Sequence, residues 1–134
     1  MPGSHRQLQH TSPPTLEFDV DASWMNIAVP VALSGAFLLF KRLGQMKPED
    51  ARRLVKDGAK LVDVRSAGEF NSGHLPGALN IPLGDLGANA KKLGAKDKPV
   101  VLYCASGTRS SMARSVLKGQ GFTQVFNLGA MSRW

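Results

Sequence analysis

The chain has a single cysteine, Cys104, among 134 residues. It cannot close an internal disulfide, which excludes a disulfide framework and an all-cysteine metal site. The three histidines, His5, His10 and His74, are scattered without metal-ligand spacing. No metal or other cofactor is therefore expected. Acidic residues are few, ten against seventeen lysines and arginines. A basic chain attracts anions, but basic residues interleaved with aromatics are missing, and so is any nucleic-acid recognition motif. No nucleic-acid partner is expected. No internal repeat is visible, so a solenoid is excluded.

The charge is divided unevenly. Residues 1–40 carry Arg6 against Glu17, Asp19 and Asp21, whereas residues 41–134 carry sixteen basic and seven acidic residues. Residues 1–21 are mostly polar, with paired prolines at Pro13-Pro14, and read as a disordered tail. Ala22 to Phe40 is a charge-free run of 19 residues. At about 1.5 Å per residue it is just long enough to cross a bilayer core of about 30 Å. Trp24 stands at one end, and Lys41 and Arg42 follow the other. Residues 22–42 are therefore expected to form a hydrophobic helix that acts as a single-pass membrane anchor through 22–40. The basic C-terminal side would face the cytoplasm. A helix packed on protein and a signal-peptide segment are the competing readings. The acids before the run and the bulky basic stretch after it argue against a signal peptide.

Residues 45–134 read as one α/β domain. Lys47-Pro48-Glu49-Asp50 opens a helix that ends at Asp57-Gly58. Lys60–Arg65 is a short strand, Ser66–Ser72 a helical turn, and Gly73–Pro82 a turn feeding an extended segment. Leu83–Leu93 is weakly helical, being broken by glycines. Val100–Tyr103 is a buried strand. Ser110–Gln120 is a helix with Met112, Ala113, Val116 and Leu117 as its buried face, and Phe122–Leu128 is a last strand. Strands alternating with helices imply a mainly parallel sheet covered on both faces. Ligands of such sheets bind beyond the carboxyl ends of the strands.

Cys104 lies at such an end. It begins the loop Cys104-Ala105-Ser106-Gly107-Thr108-Arg109, and a helix follows. Backbone N–H groups of a short loop entering a helix converge on a negative charge, so a thiol there should ionise more readily than usual. A buried, inert core thiol is the plainer reading of an isolated cysteine at a strand end.

Four stretches then carry a resemblance: LVDVRSAGEF (61–70), GHLPGALNIP (73–82), VVLYCASGTRS (100–110) and NLGAMSRW (127–134). Together they resemble the rhodanese family of sulfurtransferases. Two departures stand out. The glycine pair frequent near the family's end is Gly129-Ala130 here, and the family usually runs a little past the counterpart of Trp134. The resemblance implies an α/β rhodanese-like fold with a parallel sheet of about five strands. It also implies a thiosulfate sulfurtransferase-like enzyme that moves sulfane sulfur through a Cys104 persulfide. The expected partners are an anionic donor such as thiosulfate and an acceptor such as cyanide, a thiol or a protein cysteine.

In that chemistry Cys104 is the nucleophile, and Ala105, Ser106, Gly107, Thr108 and Arg109 bind substrate. Amides stabilise the thiolate, Gly107 turns the backbone inward, and the Arg109 fork takes donor oxygens. Ser110 is expected to cap the helix. Asp63, Arg65 and His74 are secondary candidates, with structural ion pairing the plainer role and Arg65 able to reach Glu69. Lys91, Lys92, Lys96 and Lys98 read as a solvated face and Trp134 as a packing residue. Two other functions stay open. A sulfur-carrier or interaction module serving a protein partner would use the same cysteine. A phosphatase or arsenate reductase would want Cys-x5-Arg, and Cys104-x4-Arg109 is one residue shorter.

Overall fold

The structure is a computed structural model and describes residues 23–134. The tail expected over 1–21 lies outside the described residues. The first element, α1, spans Ser23–Leu43. Asn26, Pro30, Ser34 and Gly35 interrupt its apolar run, and the Ser34 hydroxyl donates back to the Pro30 carbonyl at 2.7 Å. Among the described residues no helix is long and apolar enough to cross a membrane. The single-pass anchor expected over 22–40 is thus not supported, and with it falls the cytoplasm-facing membrane placement.

The remaining elements alternate as the sequence predicts: α2 (Pro48–Lys56), β1 (Lys60–Asp63), α3 (Ala67–Asn71), β2 (Leu79–Asn80), α4 (Leu83–Asn89), β3 (Val100–Cys104), α5 (Thr108–Gly119) and β4 (Val125–Ala130). Single 3-10 turns follow α4 at Ala90–Leu93 and β4 at Met131–Arg133. All strand pairs are parallel, in the order β2-β1-β3-β4. The sheet among the described residues therefore has four strands rather than about five. At the open side of β4 the Met46 amide donates to the Asn127 carbonyl at 2.8 Å. Pro48 starts α2 two residues later, so this contact does not extend into a ladder.

The core is split by the sheet. Successive strand residues face opposite ways, so Val100, Leu102 and Cys104 join Leu86, Leu93, Ala113, Leu117 and Phe122 under α4 and α5. Val101 and Tyr103 join Ala51, Leu61, Leu75 and Leu128 on the α2 side, with Trp134 packed against them. All five residues of β3 are buried, as a central parallel strand covered on both faces requires. Fully burying one such aliphatic side chain is worth about 1.5–3 kcal/mol.

Two expectations about α5 need correction. Its buried residues are Ser110, Ala113 and Leu117, whereas Met112 and Val116 are exposed. The stripe facing the sheet runs i, i+3, i+7 from Ser110, and Met112 lies about 100° off it. Ser110 is therefore not a cap. Gly107 holds that position with φ +92°, a conformation that only glycine adopts at low cost.

Candidate active site

β3 delivers Cys104 to the carboxyl edge of the sheet, and α5 begins four residues later. The chain must turn sharply between them. A Cβ on Gly107 would lie 3.3 Å from the Gly129 Cα and 2.7 Å from the Gln45 Nε2, so glycine is required for space as well as for conformation. Gly129 is brought close by an irregularity in β4, where Leu102 pairs with Asn127 but Tyr103 pairs with Gly129. The Asn127 side chain holds this bulge by accepting from the Gly129 amide at 2.9 Å. Arg133 ties Gln45 in place by donating to its Oε1 at 2.9 Å and to the Met46 carbonyl at 3.2 Å.

The loop turns its donors onto the sulfur. The Gly107 amide donates to Cys104 Sγ at 3.0 Å, and the Ser110 amide reaches it at 3.4 Å. The Ser110 hydroxyl is 3.4 Å from Sγ and donates to the Gly107 carbonyl at 3.1 Å. Cys104 is fully buried. Burial pushes the thiol's pKa up. The Ser110 hydroxyl, then the amides of Ser110, Ser106 and Gly107, push it down and prevail. The outcome is a thiol more acidic than ordinary cysteine, a state reached through neutral dipoles around a buried sulfur. Ala105, Ser106 and Thr108 are exposed at the loop's outer surface.

Arg109 does not stand open as the sequence expectation had it. Its two terminal nitrogens donate to the two oxygens of Glu69 at 2.7 and 2.9 Å. Glu69 is oriented by α3. The Ser66 hydroxyl accepts from the Glu69 amide at 3.2 Å, and the Glu69 carboxylate accepts from the Ser66 hydroxyl and amide, closing a capping box. The Arg109 guanidinium, with help from Ser66, lowers the Glu69 carboxyl to about 2.

Arg65 pairs with Asp63 rather than with Glu69. Its side chain donates to both Asp63 oxygens at 2.7–3.0 Å and to the Gly73 carbonyl at 2.6 Å. It also lies 5.9 Å from the centre of the Tyr103 ring. Tyr103 in turn accepts from the Leu75 amide at 3.0 Å, and burial leads in pushing its phenol up to about 12. Asp63 and Arg65 thus hold the turn that follows α3. His74 is exposed, stacked on Phe70 at 3.7 Å between ring centres, with Nδ1 2.9 Å from the Phe70 carbonyl. None of these three side chains touches the sulfur.

Sequence reasoning missed Ser110 as a thiol donor, Glu69 as the partner of Arg109, and the Gln45–Gly107–Gly129 packing. Only one of these left a local trace, the Ser66-x-x-Glu69 spacing of a capping box.

The family model for the rhodanese-like domain matches residues 47–134. The chain is 38% identical over 96 residues to the thiosulfate sulfurtransferase GlpE of Pseudomonas savastanoi pv. phaseolicola, covering 71% of this chain and 87% of that one. It is also 38% identical over 72 residues to the putative sulfur carrier protein YrkF of Bacillus subtilis, covering 54% of this chain and 38% of that one. Among solved structures it resembles the human single-domain sulfurtransferase TSTD1, with a TM-score of 0.61, 29% identity, and coverage of 68% and 94% of the two chains. With its four-stranded parallel sheet and its cysteine loop at the end of β3, the chain belongs to the rhodanese-like family.

Proposed function

We propose that the protein transfers sulfane sulfur through a persulfide on Cys104. The observation that carries this reading is that the Gly107 and Ser110 amides donate to one buried sulfur, with the Ser110 hydroxyl 3.4 Å from it. With thiosulfate as donor, the Cys104 thiolate attacks the outer sulfur. A sulfur–sulfur bond forms on the enzyme, the donor's own sulfur–sulfur bond breaks, and sulfite leaves with its electron pair. The enzyme then holds Cys104–S–S⁻. A thiol, cyanide or a protein cysteine takes the outer sulfur and restores the thiolate, which is ping-pong covalent catalysis. The donors that favour the thiolate also favour the persulfide anion one bond further out. Because Cys104 has no exposed surface in the resting loop, loading requires Ala105–Arg109 to admit the donor.

Intact mass after treatment with thiosulfate tests the reading. One added sulfur atom, lost on cyanide treatment and missing in Cys104→Ala, is expected. No mass gain from any sulfane-sulfur donor would overturn it.

A sulfur-carrier role is the second reading, favoured by the kinship to a putative carrier. Catalytic turnover with small donor and acceptor separates the two, since a carrier loads once and waits for its protein partner. Phosphatase chemistry is disfavoured because the loop is short and Arg109 already holds a carboxylate.

A further inference from the structure

The loop arginine presents a planar fork suited to two oxygens of an anion. In this molecule both terminal nitrogens of that fork are already bonded to Glu69, at 2.7 and 2.9 Å. The carboxylate is held from behind by Ser66, whose hydroxyl is 3.1 Å from Oε1. The charge of Cys104 acts on Arg109, as do those of Glu69 and Asp63. Arg109 closes the loop that Cys104 opens, so a carboxylate engages the guanidinium of the cysteine loop itself, even though the chain as a whole carries a net charge of +7.

We propose that Glu69 is a specificity-determining residue that selects sulfur donors by charge, holding Arg109 against dianions such as thiosulfate and favouring uncharged persulfides, R–S–SH. The inference rests on the sulfur-transfer reading and deepens it. A dianion must displace the carboxylate from the fork, or dock with that carboxylate beside it. A neutral persulfide needs neither. Its reaction balances without a further reagent. The Cys104 thiolate attacks the outer sulfur, the R–S bond to that sulfur breaks, and R–S⁻ leaves with the electron pair. The proton stays on the transferred sulfur, giving Cys104–S–SH. The pair acts as a filter and not as a block, because both side chains are more than a third exposed and such pairs are weakened by solvent.

The test uses the full chain at mildly acidic pH, where a hydrodisulfide keeps its proton and thiosulfate keeps both charges. Thiosulfate and the hydrodisulfide of 2-mercaptoethanol are the donors, and the rate of sulfur loading onto Cys104 is measured. Glu69→Gln removes the charge and keeps a residue that completes a capping box. The ratio of kcat/KM for thiosulfate to that for the neutral donor is expected to rise about tenfold, chiefly through a lower KM for thiosulfate. Glu69→Ala, which also removes the cap, should move the ratio the same way. A ratio unchanged or lowered in Glu69→Gln overturns the inference. So does a rise confined to Glu69→Ala, which would trace to the lost cap. If the wild-type protein loads from neither donor, the sulfur-transfer reading itself falls, and the inference with it.

Discussion

Two carboxylate–guanidinium pairs, alike in chemistry, stand in different surroundings. Asp63 and Arg65 are two residues apart, and their side chains are 0% and 8% exposed. Glu69 and Arg109 are forty residues apart, and theirs are 38% and 36% exposed. The buried pair is satisfied on every side, by the Arg65 amide, the Gly73 carbonyl and the Tyr103 ring. Two charges removed from water persist only when so completely paired, and removing one partner strands the other. The half-exposed pair keeps water as an alternative partner. It can open at little cost, which suits a group beside a reactive loop. Burial, more than the length of the hydrogen bonds, separates a structural ion pair from a displaceable one.

The largest expected effect comes from breaking the buried member of this comparison. Asp63→Asn should lower stability by about 3–5 kcal/mol, since it leaves the Arg65 charge buried without a counter-charge. Urea unfolding followed by circular dichroism measures it, and Glu69→Gln should shift the midpoint far less. Equal shifts in the two variants would dissolve the distinction.

Gly107→Ala comes next. It places a side chain at φ +92° against the Gly129 backbone, and about 1–3 kcal/mol of destabilisation is expected. The same measurement checks it.

A third test extends the comparison to a buried group made acidic by neutral dipoles. Ser110→Ala removes the hydroxyl that does most to offset the burial of Cys104, so the thiol's ionisation midpoint should rise. Thiolate absorbance followed against pH shows it, and an unmoved midpoint would remove Ser110 from the site.

The smallest effect belongs to the exposed pair in acid. The Glu69 carboxyl is lowered from near 4.5 to about 2. Its contribution is therefore complete above pH 4.5 and is lost as pH falls through about 2. The difference in unfolding midpoint between wild type and Glu69→Gln should shrink over that window and with added salt.

The reading of elements from sequence succeeded where the signal was local. The apolar run at Val100–Tyr103, the alternation of strand and helix, and the turn glycine at Gly107 all reappear in the fold, the strand running one residue further to Cys104. It failed where a choice depended on a neighbour distant along the chain. Sequence proximity offers Glu69 to Arg65 and leaves Arg109 for the donor, whereas in the fold Arg65 takes Asp63 and Glu69 takes Arg109. Met112 and Val116 read as core residues because an apolar residue on a helix looks the same whichever face the sheet covers. The fifth strand came from resemblance, and the sheet among the described residues has four.

Residue order alone determined that one cysteine would end a buried strand and be followed by a short glycine-bearing loop and a helix. Those features depend on side-chain period and backbone freedom over a few residues. Tertiary structure alone decided that the sulfur meets the Ser110 hydroxyl, that the β4 bulge presses Gly129 against Gly107, and that Glu69 occupies the Arg109 fork. The first requires α5 to turn Ser110 back onto the end of β3. The other two require segments far apart in the chain to come within hydrogen-bonding or van der Waals distance, where only the packed sheet brings them.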